Sequence, residues 1–127
     1  MPKGIYLVFT ECTDPSREEE FNRWYSRTHL PDLSAAQGWV RSRRFANLRP
    51  NDGPSTYLAA YEFDSPDIEA SIADQRRIAL GTVKQGRHID CLQAVRLYAF
   101  QEIEPGSHRP LERLDYPRVR EAPPGQR

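Results

Sequence analysis

The sequence predicts an α+β domain whose elements follow the order strand, helix, strand, strand, helix, strand. Three observations predict it: short apolar runs separated by turn residues, two helical segments that begin with proline, and a turn rich in Pro, Asn, Asp and Gly between the middle strands. This order is the ferredoxin-like, split βαβ pattern, a four-stranded antiparallel sheet with both helices on one face. A chain of 127 residues suits one such domain.

Strand one is predicted from Lys3 to Cys12. Its central run, Ile5 to Phe9, is apolar at both parities, which indicates that both faces of the strand are covered. The two cysteines of the chain, Cys12 and Cys91, both fall in strand-like segments. A domain of this size does not need a disulfide, so we expect both thiols to be reduced.

The first helix is predicted to begin at Asp14, whose side chain can cap it, with Pro15 at the first helical position. Pro31 disfavours helical geometry at the residue before it, so we expect the helix to break or kink near His29. A short second turn should then end at Gly38, because glycine readily adopts the left-handed conformation that follows a helix.

The second half of the domain contains the remaining three strands and one helix. Its predicted elements are strand two from Trp39 to Leu48, a turn over residues 49–54, strand three from Thr56 to Phe63, a helix capped by Ser65 that runs to about Leu80, and strand four within Ile89 to Ile103. The turn joins strands two and three as a hairpin, because its residue types favour turns over strands.

A change in composition divides the chain after strand four. Residues 1–103 are predicted to form the α+β domain. Residues 104–127 contain five prolines and little periodic apolarity, so we predict an extended Pro-rich tail there.

The number of elements predicts a partner for the sheet. Two helices can cover one face of a four-stranded sheet, yet the strands are apolar at both parities. A second copy of the same sheet is the simplest cover for the other face, so we expect a homodimer.

Composition and charge exclude several classes of function. Eighteen basic and eighteen acidic residues are interleaved, so the chain lacks the footprint of a nucleic-acid or anionic-membrane binder. It has no apolar run of membrane-spanning length and no signal-peptide pattern, so we expect a cytoplasmic protein. Conventional zinc, phosphate-loop and nucleophile-elbow motifs are absent from the sequence, so we expect no metal and no cofactor. One histidine would suffice for haem, which is a minor alternative.

Residues 21–32, which read FNRWYSRTHLPD, resemble a segment of the dimeric α+β-barrel superfamily, especially its EthD-like proteins. The segments Gly38 to Val40 and Tyr57 to Pro66 are similar to the same group, and the resemblance covers residues 3–103. It implies a ferredoxin-like domain that dimerises into a barrel, with His29 near a pocket between helix and sheet. Members include dehydratases, cyclases, decarboxylases, lactone isomerases, cofactor-independent oxygenases and haem proteins, so the resemblance does not select a reaction.

His29 is the candidate catalytic residue. Tyr25 and His29 are four positions apart and share a helical face, with Trp24 beside them. An imidazole that titrates near neutral pH can act as a general acid or base. The structural alternative is that His29 and Asp32 organise the helix break at Pro31 by bonding freed backbone groups.

The candidate substrate-binding residues combine aromatic walls with a few polar groups. They are Trp24, Tyr25, Asp32, Arg44, Tyr61, Phe63, Tyr6 and His88. Converging tyrosine hydroxyls would suit an enolate or phenolate, and an arginine of strand two would suit a carboxylate. Each also has a structural interpretation, since aromatic residues at this spacing are typical of a core and arginines of a solvated edge strand.

Two functional hypotheses follow. The first is an enzyme that acts without a cofactor, by acid–base chemistry, on a small cyclic or aromatic metabolite: a dehydratase, cyclase, isomerase or decarboxylase, or a cofactorless monooxygenase. The alternative is a non-catalytic dimer module that binds a small ligand or supports a partner enzyme. A dry cavity lined by His29 and a tyrosine would favour the enzyme, whereas a barrel filled by its own side chains would favour the module.

Overall fold

The sheet has four antiparallel strands, and a computed structural model describes it within residues 1–108. The strands are β1 (Lys3–Cys12), β2 (Trp39–Ala46), β3 (Tyr57–Asp64) and β4 (Leu92–Gln101). Their order across the sheet is β2-β3-β1-β4, with β1 and β3 central. This topology confirms the predicted ferredoxin-like fold.

The helices lie on one face of the sheet. They are α1 (Glu18–Trp24) after a 3₁₀ turn at Pro15–Arg17, a π-helical turn at Tyr25–His29, α2 (Leu30–Leu33), and α3 (Ile68–Lys84). As predicted, Asp14 caps the helical segment that begins at Pro15, here the 3₁₀ turn. Its side chain accepts a hydrogen bond from the Ser16 amide at 3.0 Å. Gly38 has φ +79°, which confirms the predicted left-handed residue before β2.

The predicted break or kink near His29 takes the form of a π-helical irregularity, and the chain stays helical through Pro31. Residues 25–29 make one π-helical turn, and the amide of Leu30 donates to the carbonyl of Tyr25, five residues earlier. Pro31 has no amide hydrogen and would crowd the carbonyl of the preceding turn in a regular α-helix. The wider π turn relieves that conflict, and the chain continues directly into α2.

The last helix differs from the prediction at both ends. Its N-cap is Asp67, whose carboxylate accepts from the Ala70 amide at 3.1 Å, whereas Ser65 bonds Asp67 from the preceding turn. The helix continues past Gly81 to Lys84. A glycine within a helix costs only about 1 kcal/mol relative to alanine, so Gly81 did not have to end it.

The core lies between the helices and the covered face of the sheet. Tyr61 and Phe63 of β3 are each 1% exposed, and Phe21 and Tyr25 of the helices are 0% and 1% exposed. The rings of Phe21 and Tyr25 meet edge to face, with centroids 5.6 Å apart. The four largest fully buried side chains of the core are therefore aromatic.

The opposite face of the sheet, which we call the open face, carries apolar side chains that no element within residues 1–108 covers. Ile5 and Leu7 of β1 pair across the ladder with Phe100 and Tyr98 of β4. Phe100 is 55% exposed and Tyr98 44% exposed. The strands thus carry apolar side chains on both faces of the sheet, as predicted, and those of the open face lie at the surface of the described domain.

Within the described residues, no helix is long and apolar enough to cross a bilayer. The same range shows no group of three or more residues able to hold a metal ion. Most of the predicted tail, from residue 109 to the end, lies outside the described residues.

Candidate functional site

His29 lies at the end of the π turn in an aromatic surrounding. Its ring stacks on Trp24 at a centroid distance of 4.6 Å and meets Tyr25 edge-on at 4.9 Å. The residue is 7% exposed, and its Nδ1 atom is enclosed without a hydrogen-bond partner among the described residues. A buried polar nitrogen without a partner is uncommon in a folded protein, so this position calls for a functional explanation.

Burial decides the charge of His29. The pKa of the imidazole falls from its ordinary 6.5 to about 4, mainly because burial disfavours the charged form. The neighbouring His88 and Arg44 also lower the pKa, whereas Asp32 raises it. The imidazole is therefore neutral at pH 7. A neutral imidazole can accept a proton, and it can also donate one from its remaining N–H.

Arg44 of β2 points into the covered face beneath aromatic rings. Its guanidinium carbon lies 4.4 Å from the ring centroid of Tyr25 and 5.1 Å from that of Tyr57. Its NH2 group donates to Asn22 Oδ1 at 2.9 Å, while its Nε is enclosed and has no partner among residues 1–108. Arg44 forms no ion pair within the described range, and burial lowers its pKa. A half-buried cation that has no counter-ion in the described range would be stabilised by an anion close to it.

Two tyrosine hydroxyls meet in the same region. The hydroxyls of Tyr25 and Tyr61 lie 3.4 Å apart, and Tyr6 packs on Tyr61 with ring centroids 6.2 Å apart. Burial raises the pKa of all three phenols, so each is neutral and able to donate. Neutral phenols beside a cation form a set of donors suited to a developing oxyanion.

A surface cleft adjoins this cluster. It has a volume of about 620 Å³, and its walls include Trp24, Thr28, Arg87 and His88. The Trp24 indole donates to the Arg87 carbonyl at 2.8 Å, and the His88 ring lies 6.3 Å from that of His29. The volume suits a single-ring metabolite. His29 itself does not line this cleft but lies behind Trp24 and His88.

Asp32 fixes the wall of the cleft. Its carboxylate receives two hydrogen bonds from the Arg87 guanidinium, at 2.8 and 2.9 Å. This bidentate pair joins α2 to the segment that follows α3. The structure therefore gives Asp32 a positioning contact.

Neither a family model nor a curated protein matches the chain, whereas several solved structures do. HapK from Hahella chejuensis superposes with a TM-score of 0.59 at 15% identity, over 84% of this chain and 99% of that one. A DABB family protein with a ferredoxin-like fold from Mesorhizobium loti gives 0.56 at 14%, over 84% and 100%. A Bordetella bronchiseptica protein, provisionally described as an antibiotic biosynthesis monooxygenase, gives 0.59 at 13%, over 81% and 99%.

The chain has the same ferredoxin-like fold as these structures. Identities of this size establish the fold and leave the chemistry to the site itself. The resemblance in residues 21–32 is thereby confirmed at the level of fold. Within this ferredoxin-like domain, the substrate and reaction have to be inferred from the side chains around His29.

The ferredoxin-like fold brings together most of the predicted site residues. Each of seven predicted residues contacts at least one other of the set: Trp24, Tyr25, His29, Arg44, Tyr61, Tyr6 and His88. Phe63 belongs to the core cluster and shows no direct contact with His29. The structure thus separates one predicted wall residue from the rest.

Sequence reasoning missed four participants. They are Glu18, Asn22, Tyr57 and Arg87. The Tyr57 hydroxyl donates to Glu18 at 2.5 Å and accepts from the Asn22 amide at 3.2 Å. Asn22 lies one helical turn before Tyr25, a spacing that could have indicated it. Arg87 carried no such signal, because its role depends on where the loop after α3 folds.

Proposed function

We propose that this chain is a cofactor-independent enzyme that moves a proton on a small cyclic or aromatic metabolite, with His29 as the acid–base group. The observation that carries the proposal is a neutral imidazole set among aromatic rings, whose enclosed Nδ1 has no hydrogen-bond partner in the described part of the chain. Dehydration, cyclisation, isomerisation, decarboxylation and cofactorless oxygenation each need one such group in an apolar surrounding.

The charge set around His29 supports an anionic substrate or intermediate. Arg44 lacks a counter-ion within the described residues, and the hydroxyls of Tyr25 and Tyr61 can donate. An enolate, phenolate or carboxylate in this region would be stabilised by the cation and the phenols. The same anion would raise the pKa of His29 toward neutrality, because an opposite charge favours imidazolium. Binding would thus bring the base into its working range.

The cleft beside Trp24 and His88 is the proposed entrance. Its polar rim includes Arg17 and Glu20, and its inner wall is the indole that stacks on His29. A turn of the exposed His88 side chain would bring a bound ring toward His29. We propose that the enzyme works as a homodimer through the open face, in the cytoplasm, where its two free thiols are stable.

A second candidate function has one observation in its favour. Tyr25, Tyr61 and Phe63 are each only 1% exposed and fill the space between helices and sheet with their own rings. A domain filled in this way suits a non-catalytic module that binds a small ligand at the surface cleft or supports a partner enzyme. The two candidates differ in whether His29 takes part in proton transfer.

The first test uses 5-nitrobenzisoxazole, a small aromatic probe that opens when a base removes its C–H proton and the N–O bond breaks. We expect the protein to accelerate this opening, and His29→Ala to reduce the acceleration by about 10²–10⁴-fold. His29→Gln should be equally inactive, because an amide does not titrate near neutral pH. His108→Ala, at an exposed histidine, is the matched control. Unchanged rates in the Gln variant would exclude the base role and leave the module.

A second test follows the imidazole directly. Benzoate and benzamide have the same shape and differ in charge. NMR of ring-labelled histidine should show that benzoate raises the pKa of His29 above about 4, that benzamide does not, and that Arg44→Gln abolishes the difference. A His29 resonance that responds to neither probe would place the ligand elsewhere.

A further inference from the structure

The two cysteines of the chain meet where β1 ends and β4 begins. Cys12 Sγ lies 3.7 Å from Cys91 Sγ, although the two residues are 79 positions apart in sequence. The backbone is held in register at the same point, because the Thr13 amide donates to the Cys91 carbonyl at 2.8 Å. A disulfide has an S–S distance of about 2.05 Å, so the sulfurs need to approach by roughly 1.7 Å.

The two thiols have different surroundings. Cys91 is 2% exposed, whereas Cys12 is partly exposed. The Cys12 thiol is 3.2 Å from the Asp14 carbonyl, to which it donates. Burial, and then the adjacent Cys12, raise the pKa of Cys91, which favours its protonated form. Cys12 is therefore the sulfur that a reagent from solution reaches first.

We propose that Cys12 and Cys91 form a dithiol site that exchanges with low-molecular-weight disulfides such as oxidised glutathione. The Cys12 thiolate attacks one sulfur of the reagent, and the S–S bond of the reagent breaks to release one thiolate. Cys91, having lost its proton to solvent, attacks the Cys12 sulfur of the mixed disulfide and expels the second thiolate. Two protein thiols are oxidised, one disulfide is reduced to two thiols, and the two protons reside on those products.

A disulfide between Cys12 and Cys91 would also affect the cleft beside Trp24 and His88, because Cys91 follows directly on its wall. Residues 86–90 lie in its wall and lead directly into Cys91. Asp90 is also held by Arg17, whose NH1 lies 2.6 Å from the Asp90 carboxylate. A bridge from Cys91 to Cys12 fixes the end of this segment against β1, so oxidation sets the position of the wall that carries His88. This inference is independent of the reaction that His29 performs.

The experiment incubates the full-length protein with oxidised glutathione and counts thiols by alkylation after denaturation. We expect the wild-type chain to lose both thiols and two hydrogen masses, to stay a single chain on a non-reducing gel, and to recover with dithiothreitol. Because the bridge closes a long loop, the unfolding midpoint should rise by at least about 5 °C. The Cys91→Ser variant should instead stop at a glutathione adduct on Cys12, since no second thiol resolves it.

Cys12→Ser is the matched variant, and it should acquire no adduct because Cys91 is buried. Two alkylated thiols after incubation of the wild-type chain would overturn the proposal. Disulfide-linked dimers as the main product would overturn it as well, because they would show that the thiols react between chains. An adduct on Cys91 in the Cys12→Ser variant would contradict the order of attack.

Discussion

The two faces of the sheet give similar residues different surroundings, as the neighbouring Arg43 and Arg44 show most clearly. Arg43 lies on the open face, 3.1 Å from the carboxylate of Glu62 and in water. Arg44 lies on the covered face beneath Tyr25, with an amide as its partner and no carboxylate in the described range. The open face thus has paired charges around exposed apolar groups, whereas the covered face is buried and leaves a cation without an ion pair among the described residues. We infer that the first face is built for a second copy and the second for an anion.

The largest expected difference between the faces is in core packing. Phe63→Ala on the covered face should cost about 3–5 kcal/mol of unfolding free energy, because it removes a ring that is 1% exposed and leaves a cavity. Phe100→Ala on the open face should cost less than about 1 kcal/mol, since its ring is already 55% exposed. Urea unfolding at concentrations low enough to keep the chain monomeric measures both. Equal losses would show that the open face is packed within the single chain.

The next prediction concerns the pH dependence of stability on the covered face. The folded pKa of His29, about 4, lies below its unfolded value near 6.5, so the unfolded chain binds the extra proton first. Stability from this residue is complete above pH 6.5 and is lost as the pH falls toward 4, by on the order of 3 kcal/mol. Urea unfolding across pH 4–8 measures the slope.

His29→Gln is the control that isolates this effect from the carboxylates. The variant should lose about 1 kcal/mol at pH 8 and should be less sensitive to acid than the wild type between pH 6.5 and 4. Parallel pH profiles for the two proteins would mean that His29 keeps an ordinary pKa in the folded state. The enclosed-base interpretation would then fail.

Sequence patterns predicted the covered face in outline, because strand order, turn residues and the stripe of Trp24 and Tyr25 are local signals. These patterns could not predict the π turn. Pro31 indicates that a regular α-helix is disfavoured at this point, but not which backbone geometry replaces it. The state of Arg44 was also beyond them. Whether an arginine is paired depends on long-range geometry, here on Tyr57 and Asn22 from different elements. Local chemistry therefore gave the fold and most site residues, and tertiary packing determined their charges.

A third prediction tests the open face as a contact between two copies. Phe100→Lys should weaken self-association by about 30-fold or more, because it introduces a charge at an exposed aromatic pair with Tyr98. Leu80→Lys, at a residue of α3 that is 66% exposed on the other side of the molecule, should leave association unchanged. Sedimentation velocity across a concentration series measures both. A wild-type chain that stays monomeric at micromolar concentration would refute the homodimer.

The smallest expected effect lies at the charges of the open face. Glu62 receives hydrogen bonds from Arg41 at 2.6 Å and from Arg43 at 3.1 Å, and these arginines lower its pKa, Arg41 most strongly. Both arginines are about half exposed, so water already solvates the charges and screens their attraction. A double-mutant cycle of Glu62→Gln and Arg41→Gln in the monomer should give a coupling below about 1 kcal/mol, and 1 M NaCl should reduce it further. A coupling of more than about 2 kcal/mol that persists in salt would mean that these charges are desolvated, as they are at Arg44, and the contrast between the two faces would no longer hold.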